Sequence, residues 1–161
     1  MGRELTVSDH VTIAVSPLVA WEAVSDVTQM GRWSPENTGA SVDTEGEVSV
    51  GTTFVGRNRR GPVRWATGCT VTTAAPGERF AFQVRRYGLR TPRVPVRIAT
   101  WAYDFEPVEG GTRVTETWTD DRRWPDPVAA AFDRLATGTS FAQFQQGNIR
   151  RTLDRLKLEL E

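Results

Sequence analysis

Six successive strand-length segments, parted only by short turns, occupy the middle of this chain. They run approximately over Ser41–Glu47, Thr52–Arg59, Val63–Thr73, Arg79–Tyr87, Val96–Glu106 and Thr112–Asp121. The breaks Val50-Gly51, Arg60-Gly61-Pro62, Ala75-Pro76-Gly77-Glu78 and Glu109-Gly110-Gly111 are built of turn residues. Connections this short hold no crossover helix, so the sheet must be mainly antiparallel. Such a sheet has to cover one face. The segment that can do so runs from about Ser140 to Leu160, where Phe141, Gln145, Ile149, Leu153, Leu156 and Leu160 recur at three- and four-residue spacing and share one helical face.

The flanks complete the pattern. Leu5, Val7, Val11, Ile13 and Val15 alternate with polar residues, the period of a half-buried strand. Ser16-Pro17 supplies an N-cap and a proline at the first helical position, ahead of Leu18, Trp21, Val24 and Val27 at helical spacing. Gly31 and Pro35 bracket a second short helix or turn containing Trp33. Asp126-Pro127 repeats the cap-then-proline start for a helix over Val128–Ala136, which Gly138 stops. With 161 residues, no repeat and no Gly/Ser linker, one domain over 1–161 is expected. The fold class is α+β: a curved antiparallel sheet of about seven strands around a long C-terminal helix, with two short helices after the first strand.

Composition removes several functions. One Cys (Cys69) permits neither an internal disulfide nor a thiolate zinc cluster, and one His (His10) removes paired-His metal sites. No apolar run is long enough to span a bilayer, and Met1–Leu5 opens no secretory leader, so a soluble cytoplasmic protein without integral membrane association is expected. Nucleophile-elbow, phosphate-loop and dinucleotide motifs are missing, and His10 has outward parity on the first strand, so no metal, cofactor or nucleophile motif is in view. Cys69 reads as a small buried hydrophobe.

Strand parity predicts which side chains face the covering helix. The inward sets are Phe54, Gly56 and Asn58; Trp65, Thr67, Cys69 and Val71; Phe80, Phe82, Val84 and Arg86; Trp101, Tyr103 and Phe105; and Val114, Glu116 and Trp118. Aromatics interspersed with few polar groups line small-molecule pockets, although the same aromatics can simply fill a core. Glu116 says more. An inward carboxylate is costly unless it pairs with Arg86 or Asn58, meets a wet cavity, or lies outward through a register error. If burial raises its pKa, Glu116 could act as a general acid or base, with Tyr103 beside it.

Charge is balanced overall, 20 Lys+Arg against 20 Asp+Glu, but not locally. Arg57, Arg59, Arg60, Arg64, Arg79, Arg85, Arg86, Arg90, Arg93 and Arg97 lie in one stretch with Glu78 as its lone acid. This is either a solvated outer face or a surface for an acidic partner. Nucleic acid is disfavoured by the zero net charge and the lack of a reader motif.

The residues also resemble a known family. Ser16-Pro-Leu-Val-Ala-Trp21-Glu-Ala-Val-Ser-Asp26, continuing to Trp33-Ser-Pro35, is similar to the start of polyketide cyclase/dehydrase-like proteins of the START-like, or SRPBCC, superfamily. The resemblance continues through Val50-Gly-Thr-Thr-Phe54, Gly56-Arg-Asn-Arg-Arg60-Gly61, Trp65, Pro76-Gly-Glu-Arg-Phe80-Ala-Phe82, Phe105 to Glu116, and Arg151 to Lys157. It implies a helix-grip fold with a deep hydrophobic cavity for lipids, polyketides or similar ligands; no cofactor is expected, since the sequence shows no motif for one.

Three readings follow. The first is a carrier or sensor of a hydrophobic small molecule, with Trp65, Phe82, Trp101, Tyr103, Trp118 and Phe141 as the wall, and Asn58, Thr67, Arg86, Glu116 and Gln145 as polar ligand-binding groups. The second is a polyketide cyclase/dehydrase-type enzyme using Glu116, with Tyr103, as acid/base. The third is a module that docks an acyl carrier or other acidic partner on the Arg-rich face. Monomer and homodimer are both compatible with the sequence.

Overall fold

The computed structural model describes Gly2–Asp43 and Glu47–Glu161. Among these residues the chain forms β1 (Thr6–Ile13), α1 (Pro17–Ser25), a 3-10 turn (Val27–Arg32), β2 (Asn37–Val42), β3 (Thr53–Arg60), β4 (Val63–Ala75), β5 (Arg79–Gly88), β6 (Val94–Val108), β7 (Gly111–Asp120), α2 (Asp126–Thr137) and α3 (Phe141–Leu160). The seven strands form one antiparallel sheet in the order β1-β7-β6-β5-β4-β3-β2. Every neighbour in sequence from β2 to β7 is a neighbour in space, as the short turns require. β1 closes the far edge against β7, and the α+β helix-grip architecture stands.

Local chemistry explains most boundaries. Ser16 caps α1 by accepting from the Val19 amide, and Ser140 caps α3 by accepting from the Gln143 amide. Gly138 ends α2 in the left-handed conformation, φ 78°, with its amide bonded to the Arg134 carbonyl. Two boundaries differ from expectation. The strand expected over Ser41–Glu47 lies earlier, at Asn37–Val42, and residues 44–46 fall outside the described residues. Asp126 does not cap α2: Pro125 holds the N-cap position, and the Asp126 carboxylate is taken by Arg3 at 2.7 Å. Arg3 meets this carboxylate with charge-assisted bonds from both its guanidinium and its amide.

The register contains breaks that decide which residues face inward. On β4, Gly68 and Cys69 are consecutive, but their β5 partners are Arg86 and Val84. Arg85 is thus an extra residue, a β-bulge that reverses the parity of everything after it. A second bulge places Thr72 between Val71 and Thr73. On β6, three residues, Val96–Ile98, stand against the single Arg85 between the Arg86–Pro95 and Val84–Ala99 pairs, an excess of two.

α3 lies along β1 and β7 and stands away from β3–β6. Its C-terminal half is tied to β1 by polar contacts: Arg150 to Asp9 at 2.9 Å, Lys157 Nζ to the Thr12 carbonyl at 2.8 Å, and the Ala14 amide to Glu161. Ile149, Leu153 and Leu156 press their fully buried side chains into the core beside Phe54, Phe80 and Val114. α2 carries little of this core. Ala129 and Asp133 alone among its residues are buried, and Asp133 is there because Arg122 meets it at 2.7 Å.

Candidate functional site

The gap between the N-terminal half of α3 and strands β3–β7 holds a chamber of about 150 Å³. Phe82, Trp101, Trp118 and Phe141 supply apolar wall, and Asn58, Trp65, Thr67, Tyr103, Glu116 and Gln145 also line it. The sheet thus brings together every expected ligand-binding residue except Arg86. Parity fails for Arg86 because of the Arg85 bulge: Arg86 stands opposite Gly68, on the outer side, and is exposed. Tyr87 takes the inward register in its place, opposite Thr67. Gly68 is needed for this arrangement, since a Cβ there would stand 2.9 Å from the Arg86 Cβ.

Glu116 and Tyr103 face each other across β7 and β6. The Tyr103 hydroxyl donates to Glu116 Oε1 at 2.8 Å, while Glu116 Oε2 is fully buried and has no hydrogen-bond partner among the described residues. Neither Arg86 nor Asn58 pairs with the carboxyl: Asn58 donates to Thr67 at 3.3 Å. Burial disfavours the ionised carboxylate and outweighs the Tyr103 hydrogen bond, which pushes the Glu116 carboxyl up to about 8. At neutral pH it is mainly the uncharged acid. Burial, and then the charge and hydrogen bond of Glu116, also push the Tyr103 hydroxyl well above its ordinary value. Cys69 lines the same chamber, and burial pushes its thiol up to about 12, against a weak contact to Thr67.

Other polar groups were not foreseen. Glu36 lines the chamber from the loop before β2, accepts from Arg60 at 2.9 Å and from Asn148 at 3.0 Å, and is partly exposed. It marks the solvent side, as Glu116 marks the buried side. Arg60 stacks over Phe144 at 4.4 Å and Trp65 at 5.2 Å while holding Glu36. Asn37, Asn148, Thr152 and Met30 complete the lining. Asn148 lies three residues after Gln145 and donates to it at 3.1 Å, so helical spacing from Gln145 would have found it. Glu36 follows a proline in a loop, where no periodicity points.

The arginine-rich stretch divides. Arg60 pairs with Glu36, and Arg79 with Asp104. Arg57, Arg59, Arg64 and Arg90 line a separate open groove together with Leu89. Among the described residues none of these four arginines meets a carboxylate.

A bowed antiparallel sheet gripping one terminal helix, with a chamber between them, defines a START-like protein of the SRPBCC type. The chain belongs to the family described as polyketide cyclase / dehydrase and lipid transport, whose model matches residues 4–161. Solved structures agree on the fold. A START superfamily protein from Mycobacterium smegmatis superposes with a TM-score of 0.70 at 13% identity, covering 98% of this chain and 97% of that one. The polyketide-cyclase-like protein Cgl2372 from Corynebacterium glutamicum is 27% identical over 99% of this chain and 93% of its own, with a TM-score of 0.56. The di-domain aromatase/cyclase StfQ of the steffimycin biosynthetic pathway gives a TM-score of 0.69 at 14% identity, with 97% of this chain matched to 50% of that protein. Comparison with curated proteins returned no match. No helix among the described residues is long and apolar enough to cross a membrane.

Proposed function

We propose that this protein is a carrier or sensor that encloses a small, mostly apolar guest between sheet and helix, oriented by the Tyr103–Glu116 pair. The observation that carries the reading is a carboxyl, 2% exposed, at the buried end of a chamber walled by Phe82, Trp101, Trp118 and Phe141. A carboxyl buried with a single hydrogen bond lowers stability, and its place in a chamber lining fits a ligand contact better than a packing role. The volume limits the guest. About 150 Å³ suits one ring, whereas drug-sized ligands occupy about 300–1,000 Å³. A long acyl chain would have to push α3 or the Met30–Asn37 segment aside.

A ring the size of a phenyl buries about 150–250 Å². At about 25 cal/mol per Å² that is about 4–6 kcal/mol, before the entropic cost of association. Dissociation constants of millimolar or weaker are therefore expected for the simplest guests. Calorimetric titration with toluene tests the reading: saturable one-site binding, weakened by Trp101→Ala, is expected. A folded wild type that binds no one-ring compound would end it.

One observation favours a second reading. The Tyr103–Glu116 hydrogen bond lies in the chamber lining, and burial pushes the carboxyl up to about 8, a range that suits general acid/base chemistry at neutral pH. If this chain is a cyclase- or dehydrase-type enzyme, Glu116→Gln abolishes turnover and spares binding. Equal loss of both would leave the carboxyl as an orienting group only.

A further inference from the structure

We propose that the chamber selects uncharged one-ring compounds carrying a hydrogen-bond acceptor, such as an aryl ketone, with that acceptor seated on Glu116 Oε2. The inference rests on the guest-binding reading above and adds the polarity of the guest.

The hydrogen-bond inventory of the chamber sets the polarity of its guest. Tyr103 donates to Oε1, which leaves Oε2 as the buried atom of the carboxyl without a partner among the described residues; Glu116 lines the chamber, so a small turn of its carboxyl presents Oε2 to a guest. No cation is at hand to keep the group ionised. Among the described residues the chamber lining contains Glu36 and Glu116 and no Lys, Arg or His. The nearest elements do not supply one either. On β1, Asp9 stands opposite Glu116 in register and is engaged by Arg150 of α3, which also binds Asp154. Arg60 is committed to Glu36, and Arg86 has been turned outward. An unpaired carboxyl in such surroundings holds its proton, and the proton belongs on Oε2. The neutral acid is then a buried O–H donor with no acceptor among the described residues. Leaving it unmet costs stability, and a guest that presents a carbonyl lone pair meets it.

The same inventory rejects other guests. A carboxylate guest would enter an apolar space lined by two acids and no base, so a free fatty acid is a poor match at this end. An ammonium guest would have to ionise Glu116 and bury an ion pair whose desolvation the apolar walls do not repay.

Acetophenone and α-methylstyrene are near-isosteres that differ by a carbonyl oxygen against a methylene. Calorimetric titration of both into wild type, Glu116→Gln and Glu116→Met at pH 6 separates the possibilities. Gln keeps an N–H donor at this site, and Met removes it without inserting a charge. The expected result is that Glu116→Met weakens acetophenone about five- to tenfold more than α-methylstyrene. Glu116→Gln should weaken both by similar, small factors. In wild type the infrared carbonyl stretch of bound acetophenone shifts down as in a hydrogen-bonded ketone, and the shift disappears as Glu116 ionises above about pH 8. Benzoate should not compete. If both compounds bind with equal sensitivity to Glu116→Met and the stretch stays unshifted, the acceptor inference is overturned while the chamber stands. If benzoate binds as well as acetophenone, it is overturned too. If neither neutral compound binds wild type, the guest-binding reading falls with it.

Discussion

Glu116 makes the stability of the protein depend on pH between the acid range and about pH 8. Its carboxyl titrates at about 8 when folded and near 4.5 when the chain is unfolded. Between these values the folded state holds a proton that the unfolded state has lost, so stability falls as pH rises through this window and levels off above it. Glu116→Gln removes the titration. The variant should gain on the wild type from pH 5 to pH 8 by about 2 kcal/mol or more, about 4–8 °C in midpoint for a chain of this size. Thermal denaturation of both proteins across that range checks it, and parallel curves would contradict the raised value. Tyr103→Phe has the opposite logic. The hydroxyl favours the ionised carboxyl, so its loss should move the Glu116 midpoint further up, readable in the carboxyl infrared band. Cys69 gives a simpler check. A buried thiol pushed up to about 12 carries almost no thiolate at pH 8, so a maleimide should label it only after denaturation.

At the scale of elements, two short-range devices place the site. The Arg85 bulge in β5 keeps a guanidinium out of the chamber and leaves Glu116 without the cation that strand parity offered it. Parity reads correctly along β6 and β7, where the register from Ala99 to Val108 is unbroken, and it is there that Tyr103 and Glu116 could be paired on sequence alone. It fails on β5, because alternation carries no mark of an inserted residue. α2 depends on the second device, a buried cluster in which Arg122 bridges Asp120 and Asp133. Burial would raise the Asp120 carboxyl, but hydrogen bonds and charge from Arg122, with help from Arg3, hold it below its ordinary value. Asp133 also accepts the Phe141 amide at 3.0 Å, so the cluster ties α2 to the start of α3 and to a chamber wall. Asp133→Ala leaves Arg122 half-paired and should cost about 3–5 kcal/mol in urea denaturation. Amide exchange in α2 should rise first, and a loss spread evenly over the molecule would contradict this anchoring role.

For the molecule as a whole, the sheet, the gripping helix and their order were legible because each rests on a local rule: turn residues, period two, period 3.6. The size of the space between them was not legible. It depends on how far α3 stands from β3–β6, which Phe141, Gln145, Asn148 and Thr152 settle jointly with the Met30–Asn37 segment. The resulting chamber is smaller than the deep lipid cavity that family resemblance implies. Its volume can be used up. Ala99, 3% exposed, lines the chamber, and Ala99→Leu adds three carbons to it. The variant should keep a stability within about 2 kcal/mol of the parent and lose any rise in midpoint on adding toluene. Retention of that rise would place the guest elsewhere. The most direct measurement is a crystal structure of the wild-type protein soaked with toluene. The guest is expected between Phe82, Trp101, Trp118 and Phe141, in contact with the Tyr103–Glu116 end. An interior closed over by its own side chains, with toluene bound only at the surface, would contradict the account.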